Sequence, residues 1–280
     1  MKNLILSTDK LNNFEDCPRL YEYSHIKNLT SKIKPKYFSE GDFIHRILEI
    51  YYTDIMKGRK QELNFYIELA RNLAITQFST ELSHEEIEEI IKVFSEYYNF
   101  YQIEPWKILK VEEPFAKVIL EDSKLDLRII VRGKSDLIVE TQGINAGVDH
   151  KFIARNMTLS DRDNQKLCYS WAFSLKDFFI NSIGKQKSLK LEDKFKRIYF
   201  NYSKHQIDEW IENTINSALE MIRYFELDHF PIRYKSCINL FGSKCTFHDL
   251  CNTSPDNRAY KLNEFVVKEE YDIMAKSENK

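Results

Sequence analysis

With 280 residues, 43% of them apolar and 14% aromatic, the chain can bury one large core, or a core with a helical insertion. Seven glycines and six prolines exclude a low-complexity chain. A net charge of −2 excludes a uniformly basic nucleic-acid coat, but leaves room for a local basic groove, since affinity for phosphate depends on local contacts.

The opening Met1–Lys10 has too short an apolar run for a signal peptide, and no later run is long enough to span a bilayer. The predicted compartment is the cytoplasm, where five cysteines are thiols or metal ligands rather than disulfides. Ser7 or Thr8 caps a short helix with Leu11 and Phe14 at helical spacing, ending near Cys17-Pro18. Residues 19–36 carry Arg19, Lys27, Lys32, Lys34 and Lys36 against the single acid Glu22, a solvated face or a phosphate contact. Phe38 to Met56 is predicted to be an amphipathic helix burying Phe43, Ile44, Ile47, Leu48, Tyr51 and Ile55, with His45 one step off that stripe. Two more helical patterns fill residues 60–101 and end in an aromatic cluster, Tyr97 to Tyr101, which reads as core, with base stacking as the lesser use.

A strand region begins at Leu109–Leu120, turns at Glu121–Lys124, and continues as Leu125–Glu140 and Ala146–Ile153 around a turn-rich Thr-Gln-Gly-Ile-Asn. Strand alternation puts Asp149 and Lys151 on one side and His150 on the other, and Asp136 of the preceding strand brings a second carboxylate to the same edge. Four Asp/Glu-x-Lys triplets occur, starting at Asp122, Asp149, Glu192 and Glu278. Only the one at Asp149 continues an apolar strand and follows another strand carrying an acid. An acid pair beside a lysine and apolar walls is costly unless a divalent cation or a phosphate completes it. The stretch therefore reads as a metal site for phosphodiester hydrolysis, with a structural salt bridge as the competing account.

After it, Ser160–Asp163 resembles a helix N-cap with acids in the first turn, and a helix is predicted from about Asp161 to Ile180 with Gln165 and Tyr169 on one face. Residues 183–204 hold seven Lys/Arg against Glu192 and Asp193, a surface loop or a basic edge next to the metal site that would suit DNA, with a strand-like Phe195–Tyr202 inside, and Gln206–Phe225 is a further amphipathic helix. Three cysteines, Cys237, Cys245 and Cys251, fall within fifteen residues that lack periodicity. Three thiolates need a fourth ligand for a tetrahedral zinc site or a cubane cluster. Cys17 is the natural candidate and would staple the two chain ends together. His248 is the alternative and would favour zinc, while Cys168 reads as core packing. An iron–sulfur cluster is preferred over zinc.

These pieces occur in a telling order. Gly41-Asp-Phe-Ile-His45, Gly133-Lys-Ser-Asp136, Val148-Asp149-His-Lys151 and Gln165-x-x-x-Tyr169, with the opening Ser7-x-x-x-Leu11-x-x-Phe14-x-x-Cys17-Pro-Arg19 and the late cysteines, resemble PD-(D/E)XK nucleases of the RecB type. The iron–sulfur members of that group include CRISPR-associated and recombination exonucleases. The first gap between the late cysteines is seven residues where the group commonly has two, and Phe152 stands where threonine is frequent.

The resemblance implies an α/β, restriction-endonuclease-like mixed sheet flanked by helices. It would form a single domain over 1–280 with a helical insertion at about 57–108 and a cysteine region at about 231–255. It also implies a Mg²⁺- or Mn²⁺-dependent DNA exonuclease acting on ends or single strands, in recombination, repair or mobile-element/CRISPR processing. A helicase, recombination or CRISPR-adaptation protein would be its partner, and a membrane would not. Asp136, Asp149, His45 and the His150 main-chain carbonyl would hold the metal. Lys151 would orient the attacking water or offset transition-state charge, and Gln165 and Tyr169 would position the strand. Cys17, Cys237, Cys245 and Cys251 would hold a 4Fe-4S cluster. The rival readings are a non-catalytic DNA-binding or assembly subunit that keeps the fold, and a zinc-stapled protein that acts on something other than nucleic acid.

Overall fold

The structure is a computed structural model that describes residues 2–32, 36–154, 163–238 and 242–268. The chain divides into two compact units, Lys34–Glu113 with Lys134–Lys204, and Met1–Ile33 with Pro114–Gly133 and His205–Lys280. No helix among the described residues is long and apolar enough to cross a membrane.

The first of these units is the α/β layer that carries the acidic strands. Its helices are α3 (Lys36–Met56), α4 (Leu63–Leu73), α5 (His84–Phe100), α6 (Asn164–Phe173) and the short α7 (Leu191–Lys194). They accompany the latter half of β4 (Leu127–Thr141), β5 (Ile144–Ile153), β6 (Asp177–Gly184) and β7 (Phe195–Asn201). β4 and β5 are antiparallel around the Gln142-Gly143 turn, β5 and β6 parallel, and β6 and β7 antiparallel, so the sheet is mixed. Gln142 and Gly143 both take positive φ, 51° and 80°, the two-residue turn whose twist matches that of its strands.

Helix α3 forms where the sequence places it. Phe43, Ile44, Ile47, Leu48, Tyr51 and Tyr52 are all buried, and they join Tyr66, Phe94 and Tyr97 in one core cluster with Leu137, Val139, Ala146 and Val148 of the sheet. Helix α5 begins with a capping box, Ser83 and Glu86 each satisfying the other's backbone N–H. Residues 146–150 of β5 are buried without interruption, because α3 covers one face and α6 the other. A strand covered on both faces loses its alternation of exposure, and the Asp149 side chain lies inside the layer.

The segment predicted as one helix from Asp161 to Ile180 is in fact a helix and a strand; residues 155–162, with the predicted cap at Ser160, lie outside the described residues. Asp163 caps α6 by accepting from the Lys166 N–H, and Ser174 ends it in the left-handed conformation at φ 56°. The β-forming Phe178-Phe179-Ile180 then favours a strand, and Asp177–Gly184 becomes β6 beside β5. The basic stretch 183–204 is likewise not an open cationic edge. Lys185, Lys187, Lys194 and Arg197 pair with Glu40, Glu89, Glu96 and Glu104 in turn. Arg197 lies buried between the Trp106 and Tyr101 rings, 3.5 Å and 3.8 Å from their centroids.

In the other unit, Lys2–Leu6 is a strand, β1, parallel to Leu127–Val131 of β4, where sequence reading saw only the lack of a signal peptide. Helix α1 (Thr8–Asp16) has Ser7 as its cap and ends at Cys17, and Pro18 opens the one-turn α2 (Pro18–Tyr21). Strand β3 (Lys107–Asp122) pairs with β4. Short β2 (Leu29–Ser31) pairs with β8 (Phe265–Val267), and the unit also holds α8 (Lys204–Glu226), α9 (His248–Asn252) and the short α10 (Arg258–Leu262).

Gly147, two residues before Asp149, is required by a close approach. A Cβ there would stand 2.7 Å from the Phe178 ring, and Phe178 is itself fully buried. Gly147→Ala should therefore lower stability by about 1–3 kcal/mol, read as a shift of the urea midpoint, while Gly41→Ala, with nothing within 4 Å of the new methyl, should not.

Candidate active site

Alternation along β5 sends Asp149 and Lys151 toward α6 and His150 toward α3. On the α6 side the Lys151 ammonium is 2.8 Å from Asp149 Oδ2. Gln165, one turn into α6, bridges the pair: its Nε2 donates to Asp149 Oδ1 at 2.6 Å and its Oε1 accepts from Lys151 at 2.8 Å. Tyr169, four residues on and so on the same face, lies 3.4 Å from the Gln165 amide nitrogen. Asp149 Oδ2 is buried and, apart from the ammonium facing it, has no hydrogen-bond partner.

Asp136 projects from β4, and its Oδ2 accepts the His150 backbone N–H at 2.7 Å. His45, from α3, sets Nδ1 3.6 Å from the same oxygen, an ion-pair rather than a hydrogen-bond distance. The structure thus gathers Asp136, Asp149, Lys151, His45, Gln165 and Tyr169 around the adjoining strands β4 and β5. His150 contributes its backbone, while its ring stacks on Tyr52 at 14° and takes a hydrogen bond at Nδ1 from Asn181.

Burial dominates the electrostatics. Asp136 is pushed up to about 7, first by burial and then by the Asp149 and Glu112 carboxylates, against the pull of His45 and the His150 N–H. For Lys151 burial works downward, yet the Asp149 carboxylate and its hydrogen bond, with Asp136 and Asp163, carry the ammonium above its ordinary value. Burial holds the His150 ring neutral, and with Asn181 donating to Nδ1 its proton sits on Nε2. Burial also raises the Tyr169 hydroxyl well above its usual range.

Two residues here escaped sequence reading. Asn181 on β6 is fully buried and joins His150 to the Tyr97 hydroxyl, each at 2.8 Å. Glu112 takes a left-handed φ of 53° within β3 and pairs with Lys134, adding an acid near Asp136. The signal for Glu112 was the Glu-Glu-Pro break in alternation at residues 112–114. For Asn181 it was a lone amide in an apolar run, legible only once that run was known to be a strand.

Four of the five cysteines lie in the other unit. Cys17 is buried, and Cys237, Cys245 and Cys251 are half-buried. Cys17 Sγ accepts the Arg233 N–H at 3.3 Å, and the Cys245 N–H reaches the Cys237 carbonyl at 2.9 Å. The four thiols are near enough that Cys17 and Cys237 help to raise Cys245, and all three others help to raise Cys251, to about 11, burial being the larger cause for both. His248 is engaged by Asp249 at 2.9 Å and by Asn252, and Cys168 is buried within α6. Among the described residues no three His, Cys, Asp or Glu side chains stand at metal-ligand spacing. The donor types nonetheless fit the two groups implied. Buried carboxylates crowded together and short of hydrogen bonds suit a hard divalent cation, and four sulfurs suit iron–sulfur or zinc alike.

The profile of the PD-(D/E)XK nuclease superfamily matches residues 5–252, and the chain belongs to that superfamily. No curated protein matches it. Among solved structures it is similar to a candidate exonuclease from Eubacterium rectale, at 13% identity and a TM-score of 0.49 over 98% of this chain and 93% of that one. It is also similar to the protein SSO0001, at 16% identity and a TM-score of 0.32 over 62% of this chain and 86% of that one.

The raised Asp136 predicts a pH signature. Between its unfolded value near 3.8 and about 7 the folded protein holds the extra proton, so this group's contribution to stability falls as pH rises through that window. Asp136→Asn removes the effect. In metal-free buffer its stability relative to wild type should climb from pH 4 to pH 7 and level off above, as followed by urea unfolding at each pH.

Proposed function

We propose that this protein is a metal-dependent deoxyribonuclease, an exonuclease acting on DNA ends or single strands, with its active centre at Asp136, Asp149 and Lys151. The observation that carries this reading is the Asp149–Lys151–Gln165 triangle, built on a buried Asp149 carboxylate, beside an Asp136 pushed up to about 7. A structural salt bridge needs one acid and one lysine, and a second buried carboxylate beside it raises the cost of the site without adding a bond. That arrangement is economical only where a positively charged ligand completes it.

Asp136 and Asp149, with His45 and the His150 main-chain carbonyl, would hold one or two Mg²⁺ or Mn²⁺ ions. Bound there, such an ion supplies Lewis acidity to the scissile phosphate and lowers the pKa of a coordinated water. The chain's own residues supply the rest. Lys151, kept charged by Asp149, places an ammonium where negative charge grows on the phosphorane-like transition state. Gln165 fixes both partners of that pair, so the ammonium and the carboxylate hold one geometry as the strand arrives. Tyr169, kept un-ionised by burial, offers a hydroxyl beside the amide to orient the sugar–phosphate chain. Cys17, Cys237, Cys245 and Cys251 would hold a 4Fe-4S cluster as a staple of the two chain ends. We infer that the fold acts as one nuclease domain.

Two measurements test these readings. Asp149→Ala or Lys151→Ala should lower Mn²⁺-dependent digestion of end-labelled DNA by at least about a hundredfold while a cooperative unfolding transition remains. Digestion at the wild-type rate by either variant contradicts the assignment, and an inert wild type favours the non-catalytic DNA-binding reading. Anaerobic purification should give a brown protein with about four irons, whereas a colourless protein with one zinc would replace the cluster.

A further inference from the structure

Two turns before His45, α3 holds a pair of rings in water. Tyr37 and Phe38 are 63% and 51% exposed, with ring centroids 4.3 Å apart and planes at 38°. The opposite side of the helix does the packing, through Ser39, Glu40, Phe43, Ile44, Ile47 and Leu48. Two adjoining exposed aromatics are more apolar surface than a chance exposure leaves, and such patches mark contact sites.

What lies next to them on the helix suggests the contact. Tyr37, Gly41 and His45 are spaced i, i+4, i+8, so they form one row on the helix surface, roughly 12 Å long at 1.5 Å per residue. A Cβ at Gly41 would meet nothing within 4 Å, so this glycine is not demanded by packing. Its missing side chain keeps the row low between the rings and the histidine. Among the described residues of α3 beside the row the cations are already paired: Lys36 is held by Glu86 at 2.7 Å, Arg46 is held by Glu49, and Asp42 is acidic. A helix surface with π-faces and paired cations selects bases rather than phosphates.

We propose that Tyr37 and Phe38 form a stacking platform for unpaired bases, from which a DNA single strand runs along the Gly41 row to His45 and the carboxylates. This rests on the reading that DNA reaches that site, and it names the substrate form: a single strand, or the frayed end of a duplex. Stacking of this kind is sequence-tolerant. Because the platform neutralises no phosphate, its contribution is insensitive to salt, unlike a lysine contact.

The test is fluorescence anisotropy of an end-labelled oligo-dT and of a blunt duplex of equal length, with the full chain in EDTA so that nothing is digested. Tyr37→Ala/Phe38→Ala should weaken single-strand binding about tenfold, by the same factor at low and high salt, with duplex binding and the melting temperature little changed. Tyr37→Phe/Phe38→Tyr, which keeps both rings, should bind like wild type. Undiminished single-strand binding by the alanine variant overturns the platform and leaves the rings to a protein partner. An equal loss in the ring-keeping variant also overturns it. The nuclease reading fails separately, by wild type leaving both DNAs intact in Mn²⁺, an outcome the anisotropy does not depend on.

Discussion

Two buried carboxylates on neighbouring strands, balanced by one ammonium, are the constraint around which the α/β unit is arranged. Isolated charges of this kind are costly in a protein interior. Here both are met by protein groups: Asp149 by Lys151 of the same strand and Gln165 of α6, and Asp136 by the His150 N–H of β5 and His45 of α3. Covering β5 on both faces draws the acids out of water. The same covering removes the competing hydrogen bonds of solvent, so the remaining interactions set the geometry. Asp149 Oδ2, buried with only the lysine facing it, is the point at which the arrangement is incomplete by its own protein groups.

Behind the acids a second polar layer keeps β5 in place. Asn181 ties the His150 ring to Tyr97, Tyr97 contacts Tyr52, and Tyr52 stacks on His150, closing a loop among β5, β6, α3 and α5. Arg197 and Glu104 anchor its far end through two hydrogen bonds. Networks of this kind in a low dielectric specify one arrangement, because each unmade bond costs more than the made one gains. The side chains facing the acids therefore stand on strands and helices whose register is fixed, which suits a site that must be ready before substrate arrives.

Much of this was legible in the sequence for a physical reason: periodicity reports burial. The α3 stripe and the continuous apolar run 146–148 of β5 follow from which residues leave water, and the pairing of Gln165 with Tyr169 follows from helical pitch. The parts that were not legible are those set by partners distant in sequence. Residues 177–184 carry β-forming Phe178, Phe179 and Ile180 but follow directly on a helix, and only pairing with β5 fixes them as a strand. Lys2–Leu6 is too short to stand out until β4 accepts it as a neighbour. Arg197 counted as one of seven basic residues on an edge, yet Trp106, Tyr101 and Glu104, about a hundred residues earlier in the chain, take it into the interior. Charge counted along a sequence does not say where the opposite charge comes from.

The central claim is that the carboxyls of Asp136 and Asp149 make one cation pocket, and titration calorimetry with Mn²⁺ in the absence of DNA addresses it most directly. Run near pH 6.5 in two buffers of different ionisation heat, wild type should bind Mn²⁺ and release a proton from the raised Asp136, and both signals should vanish in Asp149→Ala. Binding that survives Asp149→Ala unchanged, or no binding by wild type, would contradict it.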